Sequence, residues 1–118
     1  MVRDELTDGR RIAELLASEL TGLSDGPLAD VRVVDADTDV TPTPEGAVAF
    51  RVTAGGRRVA TVSVRPDAAL VAFDRDGLAA ASIPDAHLSL DESRGRLTIE
   101  RGAGVKAAVD VFRAVLTG

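Results

Sequence analysis

Residues 47–73 decide the fold, and they read AVAFRVTAGGRRVATVSVRPDAALVAF. On both sides of Gly55-Gly56, large apolar side chains alternate with small, polar or basic ones, and Pro66-Asp67 precedes a third apolar run. A period of two residues is typical of strands with one buried face, and Gly-Gly and Pro-Asp are turn signals. The stretch therefore predicts a meander of three antiparallel strands.

The Gly55-Gly56 turn allows two registers for the first hairpin. A two-residue loop sets Val52 opposite Val59 and places the two apolar sets on opposite faces. A three-residue loop, with Gly56 at positive φ, buries one common face, so we predict this second register. Its cross-strand pairs are Val52 with Arg58, Phe50 with Ala60, and Val48 with Val62.

Other strands follow from the same alternation. Val31–Val34 forms a short strand before the meander, and residues 35–46, which contain two prolines, form a loop. A tight turn at Pro66-Asp67 joins the second and third strands of the meander, and residues 92–95 join a later hairpin. The predicted pairs are Val64 with Ala69, Val62 with Val71, Ala60 with Phe73, Asp91 with Arg96, and Leu88 and Leu90 with Leu97 and Ile99.

Helical periodicity marks both ends of the chain. Apolar residues recur at helical spacing from Leu6 to Leu23 and again from Val105 to Leu116, and Leu78–Ser82 suggests a short helical turn. We predict a single α+β domain over residues 1–118. It has a largely antiparallel sheet of about six strands, with the N- and C-terminal helices packed on one face.

The charge composition predicts a saline environment. The chain has 19 acids against 14 bases, and Lys106 is its only lysine. Trp and Tyr are absent and there are three Phe, so the core is built mainly from small apolar side chains. Concentrated salt screens repulsion between surface carboxylates and strengthens apolar burial. We therefore expect a halophilic protein.

The absence of cysteine excludes disulfides and thiolate metal sites. No apolar run approaches the ~18 residues that a membrane span requires, and residues 1–20 lack the apolar core of a signal peptide. We expect a cytoplasmic protein that has no membrane partner.

A glycine-containing turn before the last helix is the first candidate binding site. Gly102 and Gly104 precede Lys106, and such strand-to-helix turns bind phosphate through exposed N–H groups with a nearby cation. The spacing is not that of a Walker A loop. A flexible turn before a helix explains the same residues, so both interpretations stay open.

The basic meander is the second candidate. Arg51, Arg57, Arg58 and Arg65 lie on or beside its predicted outer face, where they would contact the phosphates of a nucleic acid. No aromatic side chain lies beside them for base stacking, and the net negative charge of the chain argues against a nucleic-acid partner. The alternative is pairing inside the protein, with Glu45 opposite Arg65 and the acidic loop folded over the sheet.

The acidic loop is the third candidate. Asp35, Asp37 and Asp39 alternate as Ca²⁺ ligands do. An EF-hand loop, however, requires Gly at its sixth position and Glu at its twelfth, and this chain has Val40 and Gly46 there. We therefore interpret the segment as a solvated loop.

Catalysis has little support. His87 is the only histidine, no nucleophile or zinc motif is present, and the paired carboxylates, Asp74 with Asp76 and Asp91 with Glu92, fall in or beside turns that contain arginine. We expect no cofactor and favour a non-catalytic protein.

Three segments carry a resemblance to known proteins. They are LTDGRRIAELLASEL at residues 6–20, VVDAD at 33–37 and GVK at 104–106. Together they resemble small uncharacterised proteins of haloarchaea. The resemblance implies the cytoplasm of a salt-accumulating archaeon and a family without assigned activity. It implies no functional residues.

The sequence favours a protein-interaction module over its alternatives. Val59, Leu70 and Ala72 are predicted to face outward, which suggests an apolar patch for self-association into a homodimer. An anion- or small-ligand-binding domain using Gly102–Lys106 is the first alternative. A nucleic-acid-binding domain using the four arginines is the second.

Overall fold

A computed structural model describes residues 8–22, 30–37, 39–74, 88–91, 95–100 and 104–117. The predicted helical turn at Leu78–Ser82 lies outside these residues. The elements run in the order helix, six strands, helix. They are α1 (Gly9–Gly22), β1 (Val31–Val34), β2 (Ala47–Ala54), β3 (Arg57–Arg65), β4 (Ala68–Phe73), β5 (Leu88–Asp91), β6 (Arg96–Ile99) and α2 (Val105–Thr117).

The strands form one sheet in the order β1-β2-β3-β4-β6-β5, and each neighbouring pair is antiparallel. The α+β class and the antiparallel sheet are thus confirmed. The sequence predicts about six strands. The structure describes the side chains of five strands, which are β1 to β4 and β6. The backbone of β5 extends the sheet along the free edge of β6.

The first hairpin corrects the predicted register. Gly55 and Gly56 have φ of 58° and 81°, which is the signature of a two-residue type I′ turn, so the predicted three-residue loop is wrong. Thr53 pairs with Arg58, yet the next pair is Val52 with Ala60, so β3 contains one extra residue, Val59. This β-bulge shifts the alternation by one position and brings the apolar sets onto one face.

A second bulge lies in β2. Val48 pairs with Ser63 and Phe50 with Val62, so Ala49 has no partner and the predicted pairing of Val48 with Val62 is wrong. Val48 is 41% exposed, whereas Ala49 and Phe50 are 6% and 4% exposed. Two consecutive side chains of β2 therefore point away from the solvent.

The predicted pairs of the other two hairpins are confirmed. Across the Pro66-Asp67 turn, β3 and β4 have continuous alternation without a bulge. The β5–β6 hairpin likewise keeps its predicted register, which includes Asp91 opposite Arg96. The confirmed pairs are Val64 with Ala69, Val62 with Val71, Ala60 with Phe73, Leu88 with Ile99, and Leu90 with Leu97.

Helix α1 spans Gly9–Gly22, and the predicted start at Leu6 lies outside the described residues. The Asp8 carboxylate accepts hydrogen bonds from the backbone N–H of Arg10 at 3.0 Å and of Arg11 at 3.4 Å, which makes Asp8 the N-cap. A Cβ on Gly9 would collide with the backbone carbonyl oxygens of Arg65 and Ala68. Only glycine lets α1 approach the β3–β4 turn this closely.

One apolar core joins the sheet to both helices. Ile12, Leu16 and Leu20 of α1 and Phe112 of α2 are at most 1% exposed and belong to the same cluster as the buried strand residues. The rings of Phe73 and Phe112 pack with centroids 4.9 Å apart and a tilt of 59°. Tilted aromatic pairs of this kind contribute about 1 kcal/mol beyond the area they bury.

The Gly9 contact predicts a large difference between two glycine variants of α1. Gly9→Ala should lower the free energy of unfolding by about 2 kcal/mol or more, because rigid backbone atoms block the added methyl group. Gly22→Ala is the control, since no atom lies within 4 Å of its Cβ position, and it should raise stability by roughly 0.5 kcal/mol. Urea unfolding of both variants measures the difference, and equal effects would contradict this packing of α1.

Candidate functional site

The chain after β1 folds back along β2 and is held there by its backbone. Asp35 turns the chain with a φ of 53°, a left-handed conformation that Asp adopts more readily than most residues. The N–H of Asp37 then donates a 2.8 Å hydrogen bond to the carbonyl of Ala49, the bulged residue of β2. The β1–β2 loop, described at residues 35–37 and 39–46, is thus anchored to the bulge.

Side chains reinforce this arrangement. The Asp37 carboxylate accepts a 3.0 Å hydrogen bond from the N–H of Asp39, and the Asp37 carbonyl accepts one of 3.3 Å from the N–H of Val40. The Asp35 carboxylate lies 3.6 Å from Nη1 of Arg51 on β2. The acidic segment is therefore a folded turn with defined partners.

A cleft of about 170 Å³ separates this loop from α1, and we call it the α1–loop cleft. Its walls are mainly apolar, with charged side chains from α1 and from the loop. Val40 and Phe50, at 7% and 4% exposed, supply the largest buried apolar side chains of the lining. The lining residues are Arg10, Ala13, Glu14, Ala17, Val33, Ala36, Asp37, Val40, Ala49 and Phe50.

The cleft exists because alanines occupy its walls. Ala13 and Ala17 lie one helical turn apart on α1, and Ala36 and Ala49 face them from the loop and from β2. Alanine ends at Cβ, so the helix and the loop pack around Phe50 without filling the space between them. Because of the bulge, Ala49 and Phe50 both contribute to the lining.

The charges of the cleft are uneven. Nε of Arg10 lies 3.8 Å from a carboxylate oxygen of Glu14, and Arg51 lies close to Asp35, so each arginine has an acidic neighbour. Among the described residues, Asp37 and Asp39 have no salt bridge, and both are exposed. The loop side of the cleft is consequently acidic.

The predicted anion site is only partly within the described residues. Gly102 lies outside them. Gly104 is buried directly before α2, and Lys106 is exposed in the first turn of that helix. Lys106 lines an open depression of about 270 Å³ with two acids and one further cation, namely Glu19, Asp110 and Arg113, together with Val109. The carboxylates balance the cations of this depression.

The four arginines of the predicted nucleic-acid site do not converge. Arg51 lies beside Asp35, and Nε of Arg58 lies 3.7 Å from a carboxylate oxygen of Asp74. Arg57 and Arg65 are at opposite ends of β3, about 26 Å apart for an extended strand of this length. Arg65 is half-buried, and its Nε makes no hydrogen bond within the described part of the chain. It pairs with Ala68 on the β4 side, and the β2–β3 register ends at Ala47 with Val64, so the predicted position of Glu45 opposite Arg65 is not part of the register.

The other candidates from the sequence give no catalytic or metal geometry in the described part of the chain. His87, Asp76 and Glu92 lie outside it. Asp74 has Arg58 as its neighbour. No group of three or more acidic or histidine side chains that could hold a metal ion occurs among the described residues, and this includes Asp35, Asp37 and Asp39.

The predicted self-association patch loses its main residue. Val59 is fully buried, because the bulge turns it toward the core, so its assignment to the outer face is wrong. Leu70 and Ala72 are half-buried on the outer face of β4. The exposed large apolar residue of the described chain is Val48.

Sequence reasoning missed the α1–loop cleft. It treated residues 35–46 as solvated because they are acidic and contain prolines. One signal was available, since Val40 is an isolated large apolar residue within that polar stretch and its burial requires the loop to fold against the core.

Comparisons with known proteins give a family but no activity. Neither helix in the described ranges has the length and apolar content needed to span a membrane. No curated protein and no solved structure shows significant similarity to the chain. A family model, described as a family of unknown function (DUF7993), matches residues 1–118. The chain therefore belongs to the DUF7993 family.

Proposed function

We propose that this protein is a non-catalytic interaction module that binds a partner protein through the α1–loop cleft. The observation that supports the proposal is the apolar lining of the cleft, which is open to solvent beside an ordered loop. Protein interfaces derive most of their affinity from a few apolar anchor side chains that enter such pockets. The cleft offers a site for one anchor.

The volume of the cleft favours a side chain over a cofactor. Sites for small molecules typically enclose about 300–1,000 Å³. An engineered apolar cavity of about 150 Å³ is known to hold a benzene ring. The cleft, at about 170 Å³, is thus suited to a single Phe- or Leu-sized group. A nucleotide would not fit inside it.

Anion binding near Lys106 and nucleic-acid binding through the four arginines remain predictions. The depression beside Lys106 contains the carboxylates of Glu19 and Asp110, which would repel a phosphate. Two of the arginines have carboxylate neighbours that a nucleic acid would have to displace. Homodimer formation also remains a prediction, with Leu70 and Ala72 as the residues left to support it.

We propose the saline cytoplasm of an archaeon as the environment. The composition supports the salinity, whereas the archaeal cytoplasm is what the resemblance to haloarchaeal proteins implies. The chain carries a net charge of −5, and salt screens the repulsion between its carboxylates. The free energy of unfolding should therefore rise from dilute buffer to molar KCl, as measured by circular dichroism during urea titration. A value independent of KCl concentration would contradict this proposal.

The cleft predicts selective binding of a peptide with an aromatic anchor. The probe is the acetylated and amidated tripeptide Gln-Phe-Gln, and the same peptide with Ala in place of Phe lacks the anchor. We expect weak binding of the Phe peptide, with a Kd of about 10 mM, because burying one such ring contributes about 2–3 kcal/mol. Amide shifts in a ¹H–¹⁵N NMR titration should occur at Ala13, Ala17 and Ala49.

A matched pair of variants locates the binding. Ala17→Leu places a larger side chain in the cleft and should abolish the shifts. Ala107→Leu enlarges an equally half-buried helical alanine that does not line the cleft, and should leave them unchanged. Equal binding of the Phe and Ala peptides, or equal effects of the two variants, would overturn the proposed function.

A further inference from the structure

We infer that the partner presents its apolar anchor within a basic segment, with Lys or Arg directly beside the side chain that enters the α1–loop cleft. This inference rests on the proposed function and specifies the chemistry of the partner. It follows from the acidic side chains at the loop side of the cleft and from the way the fold holds them.

Asp37 combines a wall position with an exposed side chain. It lines the cleft together with Val40 and Phe50, yet the residue is exposed to solvent. Asp39 is also exposed, and its N–H is bonded to the Asp37 carboxylate at 3.0 Å. A ligand whose apolar group sits between α1 and the loop therefore has a carboxylate beside it.

Among the described residues, the neighbouring cations leave part of this negative charge uncompensated. Around the cleft and the part of its loop before Val40 there are four acids, Glu14, Asp35, Asp37 and Asp39, and two arginines, Arg10 and Arg51. Arg10 lies 3.8 Å from Glu14, and Arg51 lies 3.6 Å from Asp35. A positive charge on the partner would meet the two remaining carboxylates, whereas a negative charge would be repelled by them.

The Asp37 carboxylate is held in place before any partner binds. The Asp37 backbone is fixed to β2 by its 2.8 Å hydrogen bond to the Ala49 carbonyl, and the side chain is fixed by the Asp39 N–H. Ordering a charged side chain during association costs conformational entropy, and a preformed turn lowers that cost. Asp37 is therefore a fixed acidic group of the site.

Charge also argues against two other occupants of the cleft. A nucleic acid or a phosphorylated peptide would bring negative charge to Asp37 and Asp39. A second copy of this chain carries a net charge of −5 and would add repulsion to the interface. A basic segment with an apolar side chain matches both the lining and the acidic side chains of the loop.

Three tripeptides with the same central Phe test the inference by NMR titration. They are acetylated and amidated Lys-Phe-Lys, Gln-Phe-Gln and Glu-Phe-Glu. We expect the Lys peptide to bind about fivefold more tightly than the Gln peptide at low salt, from one charge pair near the surface, and the Glu peptide to bind most weakly. Added KCl should reduce the difference, because it screens exposed charges.

Neutral variants assign the preference to the loop. Asp37→Asn retains a side-chain oxygen for the Asp39 N–H, and Asp39→Asn removes the second charge. Each should lower the ratio of Lys-peptide to Gln-peptide affinity by about twofold, because the two carboxylates share the fivefold preference. Asp110→Asn is the control, because it removes an exposed carboxylate on α2 outside the cleft and should leave the ratio unchanged.

The outcomes separate this inference from the proposed function. Equal affinity for the three peptides, or an equal effect of all three Asn variants, would overturn the basic-segment inference while the Phe anchor stands. Failure of every Phe peptide to bind would overturn both. If Asp37→Asn does not fold, Asp39→Asn carries the same test, since its side chain makes no hydrogen bond among those found in the described residues.

Discussion

The Gly55-Gly56 turn constrains the central hairpin of the sheet, because a two-residue loop determines which residues of β2 and β3 lie opposite one another. With strict alternation, this turn would place Val52 and Val62 on opposite faces of the hairpin. The extra residue at Val59 removes the conflict, since the pairs after it are Val52 with Ala60 and Phe50 with Val62. The single apolar face of β2 and β3, on which the core is built, depends on this bulge.

The second bulge connects that core to the binding site. At Ala49 the strand turns two successive side chains toward the cleft, and the Ala49 carbonyl holds the N–H of Asp37. The position of the acidic loop is therefore a consequence of sheet geometry. Helix α1 supplies the opposite wall, and Gly9 sets how closely that helix approaches the β3–β4 turn. The cleft remains open because the facing residues are alanines.

The sequence predicted those parts of the fold that depend on local pattern. The pairs across Pro66-Asp67 and across residues 92–95 are correct because both hairpins keep a strict two-residue period. The Gly55-Gly56 hairpin was predicted incorrectly because Val59 and Ala49 are ordinary strand residues, and nothing in their type marks a bulge. The assumption of unbroken alternation led to the wrong loop length and placed Val59 on the surface.

The candidate site was harder to predict, because its residues come together only through tertiary contacts. The lining joins α1 to residues some twenty to forty positions later in the chain, and the deciding hydrogen bond is between two backbone groups. Every residue type can form a hydrogen bond between backbone groups, so the sequence does not reveal such a contact. Charge patterning does identify the acidic loop. Folding of that loop over the arginines of the sheet is the predicted alternative to nucleic-acid binding, and the Asp35–Arg51 contact agrees with it.

The most direct test of this account is a set of cross-strand nuclear Overhauser effects between β2 and β3 in solution. The account predicts contacts that link Val52 with Ala60 and Phe50 with Val62, and a gap in the pairing at Val59. Contacts that link Val52 with Arg58 and Phe50 with Ala60 would establish the three-residue loop instead. They would contradict the bulged hairpin and the cleft that depends on it.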